Sequence, residues 1–171
     1  MFQRMLRQTF TGLAVLLTSS ALQAQSSPLS SYQQQAEALL SKLQQQNSET
    51  IEQDAAALVA ASLPILSQFR SRYPECGDYL DALQQASSAL PDMPLERIET
   101  GYHADAELPP LTNAACYHAK DLLVHPATVQ AIAKGGFSEA QHWQAARAEI
   151  EEVIEHFGQV EAAMTSQQAS H

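Results

Sequence analysis

Apolar residues recur along this chain at alternating steps of three and four, the spacing that lines one face of an α-helix. Leu29, Tyr32, Ala36, Leu39, Leu40 and Leu43 form the first stripe. Gln33 to Gln35 and Gln44 to Gln46 fall largely on its other face or at its end, and read as solvated helix surface. Asn47-Ser48 separates this helix from a second, in which Ile51, Ala55, Leu58, Ser62, Ile65 and Phe69 repeat the pattern. Glu49, Glu52 and Asp54 lie near the positive end of its dipole. Pro64 removes one backbone hydrogen bond inside it, which predicts a kink near Ala60 to Leu63. After Tyr73-Pro74-Glu75-Cys76-Gly77 a shorter third helix is expected from Asp78 to Leu90, on Tyr79, Leu80, Leu83 and Ala86, stopped by Pro91.

Residues 91 to 112 hold four of the eight prolines and one weak helical turn around Leu95 to Glu99, so they form a long crossover. Connections of that length inside a compact domain are often functional, although a simple strap explains it equally well. Thr112 or Asn113 caps a fourth helix carrying Ala115, Ala119, Leu122 and Leu123. Pro126 either kinks this helix or begins a new short one that ends at Gly135-Gly136. Ser138 with Gln141 forms a capping box for the last helix, whose Trp143, Ala146, Ile150, Val153, Phe157, Val160 and Met164 make an uninterrupted stripe. No stretch alternates at two residues with β-branched enrichment, so no sheet is expected. The chain therefore reads as all-α, an antiparallel helical bundle of about four to five helices.

The beginning of the chain reads as an address. Arg4 and Arg7 precede any acid, an apolar run from Phe10 to Leu17 is too short to span a bilayer, and Leu22-Gln23-Ala24 offers a small residue for cleavage. Residues 1–24 are expected to be a Sec-type signal peptide, 25–165 the bundle domain and 166–171 a flexible tail, with a periplasmic or secreted location. Cys76 and Cys116, the only cysteines, then face an oxidising compartment and should form one structural disulfide. There is no Cys-x-x-Cys, no covalent haem motif and no cysteine quartet for zinc.

Charge narrows the function. The formal net charge is −10, and loss of the two arginines makes the processed chain two units more acidic. That disfavours nucleic acid and anionic membrane surfaces, which need a basic face, and no span is expected after signal removal. Basic partners or cations remain.

Six histidines stand out in so acidic a chain: His103, His118, His125, His142, His156 and His171. His118, Asp121 and His125 share one face of the fourth helix at i, i+3, i+7. The two histidines are about 10.5 Å apart along it, too far to hold one ion together. The realistic pairs are His118 with Asp121, or Asp121 with His125. Glu149, Glu152 and His156 form a comparable set on the last helix, and if the two faces meet they supply nitrogen and oxygen ligands for Zn, Ni or Cu. Equally, Glu152 to His156 is an ordinary surface pair, and Asp121 to His125 can simply orient an imidazole. Haem without covalent attachment is disfavoured, because Met93 and Met164 lie in the crossover and near the end of the last helix. No nucleophile motif or phosphate loop is present, so no enzyme is expected. The first expectation is a small soluble exported binding or interaction module for an unknown protein or small cation. The second is a divalent-metal-binding protein built on His118, Asp121, His125, Glu149, Glu152 and His156.

Overall fold

The computed structural model describes residues 27–166. The expected signal peptide lies outside them, as does the expected tail apart from Ser166. Six helices follow in order: α1 (Pro28–Gln44), α2 (Ile51–Arg72), α3 (Gly77–Ala86), α4 (Leu95–Ile98), α5 (Ala114–Gly135) and α6 (Ala140–Thr165), with no strand among the described residues. No helix there is long and apolar enough to cross a membrane.

The four long helices form an antiparallel bundle in which α1 and α5 each pack against both α2 and α6. Tyr32, at the start of α1, stacks on Phe157 near the end of α6, with ring centroids 6.0 Å apart. Tyr73, just past α2, donates to the carbonyl of Ala163 at 2.9 Å. The expected stripes supply the core: Tyr32, Ala36, Leu39 and Leu43 from α1, Ile51 to Phe69 at helical spacing from α2, and Ala146, Ile150, Val153, Phe157 and Val160 from α6 are all buried. Cys76 and Cys116 are disulfide-bonded, tying the start of α3 to the first turn of α5.

Helix α5 follows a different rule. Residues 119 to 129 are buried without interruption, because the crossover covers the face that α2 and α6 leave open. The crossover reaches the far end of α5, where Lys134 pairs with Asp92. It then returns along α5 to its start, where Thr112 donates to the carbonyl of Glu75 at 2.8 Å. Asn113 caps α5 by accepting from the Ala115 amide at 2.9 Å.

Of the two readings of Pro126, the structure takes the continuous helix. Proline has no N–H, so the carbonyl of Leu122, four residues back, lacks its usual helical donor. The Tyr32 hydroxyl donates to it instead, at 2.6 Å from a fully buried position. A backbone acceptor stranded in the core is thereby satisfied from a helix 90 residues away in sequence. Pro64 strands the carbonyl of Ala60 in the same way, but Ala60 is exposed and water can serve.

Two expected helix ends move. The third helix stops at Ala86 rather than Leu90, because the Ser87 hydroxyl donates to the Gln84 carbonyl at 2.7 Å and competes with the backbone ladder. The capping box of Ser138 and Gln141 does not form, since Glu139 is the N-cap and makes no side-chain bond. Phe137 stacked on Trp143, with centroids 4.0 Å apart, fixes the approach to α6 instead.

Candidate metal centre

Helix α5 presents His118, Asp121 and His125 towards α6, and α6 returns Glu149, Glu152 and His156. The crossover adds His103, at the end of a π-helical turn over Glu99–His103. Such turns widen the helix by one residue and recur at functional sites. Here the turn lays the His103 ring against that of His125, with centroids 4.7 Å apart.

Asp121 is the innermost group. It is fully buried, and neither carboxylate oxygen has a hydrogen-bond partner among the described residues. Its Oδ2 lies 3.3 Å from His156 Nε2 and its Oδ1 3.8 Å from His125 Nε2. Lys120 Nζ is 3.4 Å from Oδ1, a charge contact rather than a hydrogen bond. Burial drives the Asp121 carboxyl up to about 7, against the pull of Lys120. Lys120 spends its hydrogen bonds elsewhere, on the His103 carbonyl at 2.9 Å and Asp105 at 2.8 Å, with its ammonium 4.2 Å from the centre of the Tyr117 ring.

His125 is held from both sides. Its Nδ1 is 2.7 Å from Glu149 Oε2, and its Nε2 faces Asp121 and, at 3.7 Å, Glu152. Burial lowers its pKa to about 4, while burial and the charge of Glu152 raise Glu149 to about 8. Both shifts favour a neutral imidazole beside a protonated carboxyl, with the Glu149 hydroxyl donating to Nδ1 along the short bond. Glu149 Oε2 is also 3.6 Å from His103 Nε2, which meets the Thr128 hydroxyl at 3.0 Å. Burial and then the charge of His125 lower His103 to about 3. His156 is lowered to about 4 by burial and the two neighbouring histidines. All three imidazoles are thus neutral near pH 7, the form that donates a lone pair to a metal.

Among the described residues, two groups of three have ligand atoms within 4.8 Å of one another: His103, His125 and Glu149, and Asp121, His125 and His156. A tetrahedral ion with bonds of about 2.1 Å places its ligand atoms about 3.4 Å apart. The Asp121 contacts bracket that spacing.

Two of the six residues expected from their spacing to be ligands stand outside these groups. His118 lies behind His156, Nδ1 to Nδ1 at 2.8 Å, so it orients that ring with Nε2 towards Asp121 instead of joining Asp121 as a ligand. Glu152 sits at the rim with a side chain 58% exposed, because the centre is deeper on α5 than its turn of α6. His103 was not among the expected ligands. The long proline-rich crossover was the sequence signal for it, but its register against α5 depends on the distant Lys120 clamp. His142 lies apart, at the opposite end of α5 among Leu95, Ile132 and Gly136.

No protein-family model, curated protein or solved structure matches the chain, so a functional reading rests on this geometry.

Proposed function

We propose that the protein is an exported helical bundle that binds a divalent transition-metal ion through Asp121, His125 and His156. The observation that carries this reading is the Asp121 carboxylate, fully buried, with no hydrogen bond to either oxygen, between two imidazole nitrogens. Lys120 gives it a charge contact but no hydrogen bond, so its desolvated lone pairs cost stability unless a ligand takes them up. Nitrogen and carboxylate donors favour Zn, Ni or Cu over Mg or Ca, which take oxygen shells. His118 behind His156 and Glu149 behind His125 supply the outer partners that metal-ligating histidines need. The interaction-module reading has less support: among the described residues the large exposed apolar side chains are Leu95 and Leu111, both in the crossover segment. The acidic chain would favour the approach of cations.

Calorimetric titration of chelator-treated protein with zinc, nickel and copper is the test. Binding tighter than roughly 100 µM, about −5.5 kcal/mol, that is weakened at least tenfold by His156→Ala supports the proposal. Weaker binding, or binding indifferent to that substitution, defeats it.

A further inference from the structure

We infer that the centre holds two ions, with the imidazole of His125 bridging them, an inference that rests on the metal-binding reading above. The two ligand groups share His125 but use opposite nitrogens of its ring. Nε2 faces Asp121, with His156 beside it, whereas Nδ1 faces Glu149, with His103 beside it. Two nitrogens of one imidazole cannot bind the same ion, so the donors gathered on the two sides belong to separate positions. With metal–nitrogen bonds of about 2.1 Å, ions on the two sides of the ring would stand about 6 Å apart.

The Nδ1 side is more than an outer partner for the first ion. An outer carboxylate would be enough to hold the ring, yet His103 is also brought to 3.6 Å from the Glu149 oxygen. Its placement is enforced by the π-helical turn and by Lys120, which grips the His103 carbonyl and Asp105. Binding there exchanges the His103 contact with Thr128 for a metal bond. For His125 to bridge, its ring proton and the Glu149 carboxyl proton both pass to solvent, and the imidazolate then donates one nitrogen pair to each ion. Glu152 Oε2, 3.7 Å from His125 Nε2 at the open rim, is placed to complete the coordination of the ion on that side.

Equilibrium dialysis against copper(II), with metal counted by mass spectrometry, and electron paramagnetic resonance of the same samples test the bridge. The wild-type protein should hold two coppers per chain with a resonance well below that of two isolated ions, because the ring couples their spins. His103→Ala and Glu149→Gln, each checked for folding by circular dichroism, should hold one copper with a full single-ion signal. One copper per chain in the wild type overturns the second site and leaves the proposed function standing. None overturns both. Two coppers that survive both substitutions, or two with the full uncoupled signal, overturn the bridge.

Discussion

Asp121→Asn should be more stable than the wild type without metal and less stable than it with metal. In the metal-free state the carboxyl is raised from 3.8 to about 7, so at pH 8 its ionised form carries a penalty on the order of 4 kcal/mol as an upper bound, at about 1.4 kcal/mol per pH unit. Asparagine removes the charge at nearly constant shape but leaves a buried amide, which returns about 1–3 kcal/mol of that gain. The expected net effect is a metal-free variant more stable than wild type by about 1–2 kcal/mol, a rise of several degrees in melting temperature for a chain of this size. With zinc at a hundred times its dissociation constant, the wild type gains about 2.7 kcal/mol by mass action and the variant much less. Thermal melts at pH 8, with chelator and with zinc, read both differences. The reasoning fails if the variant is the less stable protein in chelator, or if zinc raises both melting temperatures equally.

Four further outcomes are expected. Replacing Cys76 and Cys116 with Ala opens a loop of sequence separation 40 and should cost about 4 kcal/mol in denaturant titration, with helix content preserved at low denaturant; no loss would contradict a stabilising role for the disulfide. Tyr32→Phe should cost about 1–3 kcal/mol by the same measurement, since it leaves the Leu122 carbonyl without a donor beside Pro126. Lys120→Met should cost about 3–5 kcal/mol and weaken metal binding at His103, because it frees the crossover and removes the cation that lies between Asp105 and the buried Asp121; a stable variant with unchanged binding would exclude a clamp. Metal-free protein should lose on the order of 1 kcal/mol between pH 6.5 and 8: Asp121 and Glu149, titrating near 7 and 8, keep protons there that the unfolded chain has released, and this outweighs the protons that His103, His125 and His156 still give up in the unfolded chain just above their ordinary 6.5. Below pH 6.5 the three histidines prevail, because the unfolded chain protonates them and the folded chain does not, so stability peaks near that pH; a stability that climbs from pH 6.5 to 8 would refute the assignment.

The helices α1, α2 and α6 were legible because each buries one face, and a half-buried helix writes its orientation into the spacing of its apolar residues. Helix α5 was harder to read, since an element covered on all sides has no polar face to set the phase, and its polar residues 120, 121 and 125 look like surface in sequence. The choice at Pro126 was unreadable locally, because the group that rescues the helix is the hydroxyl of Tyr32. The site divides along similar lines. Asp121, His125, Glu149 and His156 fall at helical spacings that allow two faces to converge, and the structure brings them together. His118 and Glu152 share those spacings, and only the depth and rotation of α6 separate an orienting residue and a rim residue from the inner groups. His103 has no periodic context, and contacts made far along the chain determine where it lies.

The neighbouring pair Lys120 and Asp121 explains why the crossover is long and why it is held. If Lys120 served only to neutralise Asp121, the shortest solution would be a direct hydrogen-bonded ion pair, which a buried pair needs to offset desolvation. The ammonium is instead 3.4 Å from Asp121 and makes its hydrogen bonds to Asp105 and the His103 carbonyl. Successive residues on a helix point to different faces, so Lys120 can turn towards the crossover while Asp121 turns towards α6. The same helix thereby fixes the segment that carries His103 and leaves the Asp121 oxygens free of hydrogen bonds. A shorter connection from α3 to α5 could close the bundle, but it would not lay a third strip of chain along α5 or bring a histidine over the far side of His125. Lys120 therefore acts as a positioning residue, and the buried charge it adds is balanced by acids from both segments it joins.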